Sequence, residues 1–140
     1  MELKIIKIQK STKKNIYEIF FENNSKIELF NEILLKFRLR SGDIIEEKEL
    51  NEILIQNQIY EAKNISMRLL AKRMRTEKEI IDRLKQKKFD EKIISTTVQE
   101  FKKINLINDD EFAERFINDS LLLQKNYIKN VLINKDIFFL

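Results

Sequence analysis

Seven cations between positions 68 and 88 are the side chains of this chain best equipped to recognise a partner: Arg68, Lys72, Arg73, Arg75, Lys85, Lys87 and Lys88. An arginine presents a planar fork that grips a carboxylate or a phosphate with two hydrogen bonds, and a lysine adds a mobile point charge. The chemistry they offer is anion recognition, on an acidic protein face or a phosphate backbone. Four fall around the end of one helical segment and the turn after it, and three at the far end of the next. The helix dipole alone favours cations at such ends, so a purely structural explanation stands beside the binding one.

Other chemistry is nearly excluded. The chain has no His and no Cys, which removes the usual general base, nucleophile and transition-metal ligands. Its single glycine rules out a glycine-rich phosphate loop. The acidic run Asp109, Asp110, Glu111, with Glu114, has the oxygen ligands of a hard cation, yet an acidic first turn is also what a helix start prefers, and that capping role is the reading adopted. No catalytic residue, metal ligand or cofactor is expected.

The elements that hold the cations come from residues 65–116, where three short apolar-periodic segments are separated by start signals. Ile65 and Leu69, flanked by Leu70 and Met74, line a helix expected to stop near Arg75. Thr76 and Glu79 have the spacing of a capping box, in which each side chain bonds the other's backbone amide. The helix after it turns Ile80, Ile81 and Leu84 inward, with Phe89 past its end and Glu79 and Arg83 paired on the outer face. Asp90 caps a third helix carrying Ile93, Ile94, Val98, Phe101 and Ile104. Asn108 to Glu111 open a fourth, with Phe112, Ala113, Phe116 and Ile117 on its buried side.

Upstream, residues 3–8 and 16–21 read as strands, the latter with Tyr17, Ile19 and Phe21 on one face. Asn23, Asn24 and Ser25 make a hairpin turn into a third strand at 26–29. Helical spacing of Phe30, Ile33, Leu34 and Phe37 follows, ended by Ser41, Gly42 and Asp43. After a brief extended stretch at Ile44 and Ile45, residues 46–56 form a helix around Leu50, Ile53 and Leu54.

With 140 residues, 43% hydrophobic and 36% charged, one glycine and no proline, the chain suits one domain or two small ones, mostly helical. Charge is uneven. Residues 1–59 hold ten basic and ten acidic side chains, 60–108 thirteen and seven, and 109–140 four and six. Shifting the chain by 48 positions aligns Leu69 with Ile117, Ile80 with Ile128, Leu84 with Leu132 and Phe89 with Ile137, a weak internal repeat. The expected architecture is α+β, mostly α: a β/helix segment at 1–59 with a small antiparallel sheet, then tandem three-helix repeats, one at 60–108 and an incomplete one at 109–140. The second ends on an apolar 137–140, as in a shortened chain or a fragment. No apolar run is long enough to span a membrane, and a cytoplasmic monomer is expected.

Two boxes carry a family resemblance. The R-x-R-T-x-x-E of Arg73, Arg75, Thr76 and Glu79 precedes Ile80, Leu84, Lys87 and Phe89, and the I-N-D-D-x-F-A of residues 107–113 follows. In this order they resemble the first repeat, and the start of the second, of the RecX family, bacterial regulators of the RecA recombinase. The likeness is close in the second half of the chain and loose before it. It implies a non-enzymatic protein that binds RecA or the RecA–DNA filament through the seven cations, with single- or double-stranded DNA as a further partner. Lys88, Asn105, Asn126 and Asp136 stand where the family usually has glycine. Asn and Asp tolerate a left-handed cap, whereas Lys88 does not suit one, so the helix before it is expected to end differently. Two alternatives fit the residues: a helical nucleic-acid-binding module acting without RecA, and a structural adaptor.

Overall fold

The computed structural model describes residues 1–115. The expectations for Phe116, Ile117, the 48-residue repeat, Asn126, Asp136 and the apolar 137–140 lie outside them. The chain opens with three antiparallel strands, β1 (Glu2–Lys10), β2 (Ile16–Phe21) and β3 (Lys26–Phe30). Asn15 (φ 62°) and Asn24 (φ 65°) take the left-handed backbone in the two connections, a conformation asparagine reaches more easily than most residues. After helix α1 (Asn31–Lys36), the short strand β4 (Ile44–Glu46) returns to the free side of β1, giving the order β3-β2-β1-β4.

Ile6 is a bulge between Ile5 and Lys7 in the β1–β2 register. The extra residue lets Ile5 be buried and Ile8 pack against the same core three positions later, while Ile6 is left 53% exposed. One sheet face carries Ile5, Ile19, Phe21, Leu29 and Ile45, covered by Ile33, Leu39 and Ile53. The edge of β3 is closed by a side chain: Asn57 accepts from Phe30 N–H (2.9 Å) and donates to Glu28 C=O (3.4 Å), standing in for a further strand.

Gly42 does not end α1. That helix stops at Lys36, and Arg38, at φ 51°, is the left-handed residue, with Leu39 N–H on Leu34 C=O and Arg38 N–H on Leu35 C=O in the Schellman pattern. Gly42 (φ 95°) instead makes the turn into β4, its N–H on Ile5 C=O at 2.7 Å.

The helices expected at 46–56 and from 65 to near 75 are one, α2 (Glu47–Lys72), continuous through positions 59 and 60. Leu50, Ile53, Leu54 and Tyr60 pack on the sheet core, and Ile59, Ala62, Ile65, Leu69 and Leu70 on a second core. Between Ile53 and Ala62 the helix turns about two and a half times, so these residues point to opposite sides. The apolar stripe changes face midway, and a sequence reading takes the change for a break.

Helices α3 (Glu77–Gln86) and α4 (Glu91–Lys103) complete the second core with Ile80, Leu84, Ile93, Ile94, Val98, Phe101 and, beyond α4, Ile107. Lys88 does adopt the left-handed cap, at φ 67°, with Phe89 N–H on Leu84 C=O and Lys88 N–H on Lys85 C=O. The expectation of a different ending fails because Phe89, packed against the core, holds the turn in place. Asn105 (φ 61°) repeats the pattern after α4. Ile104 is not core: as the C-cap of α4 it is 64% exposed, and Ile107 fills the interior instead. Residues 109–115 are helical, with Phe112 half-buried and Ala113 exposed rather than buried.

Candidate partner-binding surface

The seven cations separate into three groups. Arg73 and Arg75 converge on one carboxylate. Arg73, the C-cap of α2, places Nη2 2.7 Å from Glu79 Oε2 and Nη1 3.0 Å from Met74 C=O. Arg75 donates from Nε to Leu69 C=O at 3.2 Å, with Nη1 3.6 Å from Glu79, and its side chain is only 17% exposed. Glu79 also closes the capping box: its amide donates to Thr76 Oγ1 at 3.2 Å, and its carboxylate accepts from Thr76 N–H. One acidic side chain thus ties the last turn of α2 to the first turn of α3. Partial burial pushes the Glu79 carboxyl up, but the Arg73 hydrogen bond, the Thr76 amide and the two guanidinium charges outweigh it and hold the group below the usual carboxylate range. The expected outward pair of Glu79 with Arg83 does not form, and Arg83 meets Gln86 instead.

Arg68 and Lys72 lie exposed on α2, and Arg68 Nε reaches Asn64 C=O of its own helix at 3.4 Å. Lys85, Lys87 and Lys88 are exposed at the end of α3, as last turn, C-cap and the residue after it. None of Lys72, Lys85, Lys87 and Lys88 has an ion pair among the described residues.

The acidic run is a junction. Asn108 caps the following helix, accepting from Glu111 N–H at 3.0 Å, while Asp109 Oδ1 accepts from Glu77 N–H at 2.8 Å and so caps the start of α3 from 32 residues away. Lys102 pairs with Glu77 beside it at 2.9 Å. Local spacing carries no signal for the Asp109 contact, because its partner is a backbone amide in a distant turn. Among the described residues no group of three or more His, Cys, Asp or Glu is placed to hold a metal, and no buried side-chain polar atom lacks a partner. The buried Ser66 and Thr97 bond Ala62 C=O and Ile93 C=O of their own helices. No described helix is long and apolar enough to cross a membrane.

A small antiparallel sheet joined by one shared helix to a three-helix unit, with cations as its prominent surface chemistry, defines a mostly helical α+β module suited to anion recognition. Residues 62–101, from the second half of α2 to the last turn of α4, match the family model described as RecX, first three-helix domain. The chain is 35% identical over 130 residues to a regulatory protein RecX of Finegoldia magna, covering 93% of this chain and 63% of that one. It is 35% identical over 107 residues to the regulatory protein RecX of Clostridium perfringens strain SM101, covering 76% of this chain and 50% of the relative. A crystal structure of regulatory protein RecX superposes with a TM-score of 0.67 at 26% identity, over 84% of this chain and 58% of that one. The chain belongs to the RecX family, and spans about half the length of the curated relatives it matches.

Proposed function

We propose that this protein is a non-enzymatic regulator that binds RecA or the RecA–DNA filament and restrains its ATPase, strand-exchange and coprotease activities. The observation that carries this reading is the 35% identity to a regulatory protein RecX along 93% of the chain. Charge supports it: residues 60–108 hold thirteen basic against seven acidic side chains, an excess that draws the module toward an acidic surface. With Arg73 and Arg75 held by Glu79, the contacts fall to Arg68, Lys72, Lys85, Lys87 and Lys88. The Asn108-capped helix at 109–115 begins a second three-helix unit, so that tandem repeats lie along the filament and bridge neighbouring protomers. Adding the protein to RecA on single-stranded DNA is expected to slow ATP hydrolysis in proportion to the amount added. An unchanged rate at several-fold excess rejects the reading.

A further inference from the structure

Among the described residues, the stripe change in α2 leaves one face of its second half without a partner. Asn57, Tyr60, Asn64, Met67 and Ala71 follow in alternating steps of three and four, so they share one side of the helix. Asn57 and Tyr60 are used by the sheet: Asn57 closes the edge of β3, and the Tyr60 ring lies 5.0 Å from that of Phe30. Beyond Tyr60 the sheet ends, while the three-helix core draws on the opposite side of α2. Met67 is therefore 47% exposed, with Ala71, Arg68 and Lys72 exposed around it. Asn31 N–H bonds Asn15 C=O at 2.8 Å, which ties the β1–β2 loop that carries Lys14 to the residue after Phe30, whose ring Tyr60 meets.

We propose that this strip, Met67 and Ala71 edged by Arg68 and Lys72 and continued by Lys14, is the docking face for an acidic segment of the partner protein. The inference rests on the RecA-binding reading and names the surface that would serve it. Charge complementarity identifies the occupant. Lys14 and Lys72 have no ion pair among the described residues, and Arg68 spends only Nε on its own helix; Glu61, exposed less than two turns before Arg68, is the acidic residue of this half of α2, and Glu77 and Glu79 beyond Lys72 are paired with Lys102 and Arg73. The apolar centre favours protein over nucleic acid, because a phosphate backbone offers nothing to an exposed methionine, whereas an apolar centre with a charged rim is the ordinary anatomy of a protein interface. Methionine is flexible and polarizable, and adapts to the side chain it meets. Tyr60 to Arg68 spans about 12 Å along the helix, the length of roughly four extended residues.

Two binding assays with the full chain separate this inference from the reading beneath it. In the first, RecA filaments on single-stranded DNA are titrated with the wild type, with Lys14→Glu/Arg68→Glu/Lys72→Glu, and with Lys48→Glu/Lys92→Glu, two exposed cations in the first turns of α2 and α4 outside the candidate contacts. The triple variant is expected to bind roughly ten-fold or more weakly, the double variant within about two-fold of wild type. Equal binding by the triple variant overturns the strip, and failure of the wild type to bind overturns the RecA reading. In the second, a fluorescent peptide of alternating glutamate and leucine replaces RecA: binding lost in the triple variant supports the strip whatever RecA does, and absent or unchanged binding sinks it. A photo-crosslinker in place of Met67 that joins residues 116–140 of the same chain also overturns it, since the strip is then covered from within. Matching far-ultraviolet circular dichroism of both variants and wild type shows that folding is not what changed.

Discussion

The two cores that share α2 are specified in different ways. The three-helix core is delimited by signals a few residues long: the Thr76–Glu79 box, the Asp90 cap on Ile93 N–H at 2.9 Å, and left-handed turns at Lys88 and Asn105. The sheet core is assembled from distant pieces: β4 finds β1 from some forty residues away, and Asn57 finds the β3 edge. Short-range instructions build a unit that stands on its own turns, while long-range ones build a unit that exists only once all its strands are in place. The two buried clusters have no residue in common, so they are expected to open as separate units joined by a helix.

The largest expected effect tests that independence. Leu84 is 0% exposed, and Leu84→Ala costs roughly 2 to 5 kcal/mol for the three-helix unit. Urea unfolding followed by hydrogen exchange is expected to show α3 and α4 amides losing protection while β2 amides keep theirs. Equal loss in β2 breaks the comparison. Next, Gln58→Pro, at an exposed position of α2 between the two buried faces, costs about 3 kcal/mol and splits the thermal transition in two. A single lowered transition shows instead that the cores depend on each other.

Smaller changes sharpen the contrast at the turns. Lys88→Gly relieves a left-handed lysine and is expected to stabilise the three-helix unit by about 1 kcal/mol, with Arg38→Gly doing the same for the sheet unit. Asn105→Gly gains less, because asparagine already tolerates that backbone. Melting temperatures check the series. The smallest effect is the pH response of Glu79. Its folded pKa is depressed, so its stabilisation is present above the unfolded value of about 4.3 and is lost as pH falls through the lower folded value. Glu79→Gln is expected to flatten the acid limb of the stability curve, and an unchanged slope excludes Glu79 as its source.

Much of the fold was legible along the chain. The hairpin turn at 23–25, the three strands before it and after it, and the helix starts at Thr76, Asp90 and Asn108 all rest on neighbours within three or four residues. The rest was hidden for definite reasons. The length of α2 was missed because its buried face moves to the other side, which looks like two helices when only periodicity is read. Gly42 invited assignment as a cap, but Arg38 took that role and the glycine served the turn into β4. Of the candidate site, the exposed cations were evident from type and spacing. That Arg73 and Arg75 would both meet Glu79 was not, because only the α2–α3 corner sets their direction.

Residue types and near-neighbour spacing by themselves determined where α3, α4 and the helix after Asn108 begin, which side chains are apolar enough to bury, and that the middle of the chain is a cationic unit without His or Cys. Those properties need only the local backbone and the side chain itself. The tertiary structure alone decided which cations are consumed in holding a corner and which face solvent, that one helix serves two cores, and that Asp109 caps a helix begun 32 residues earlier. Such outcomes depend on directions in space, and a direction is set only when both ends of a contact have been packed.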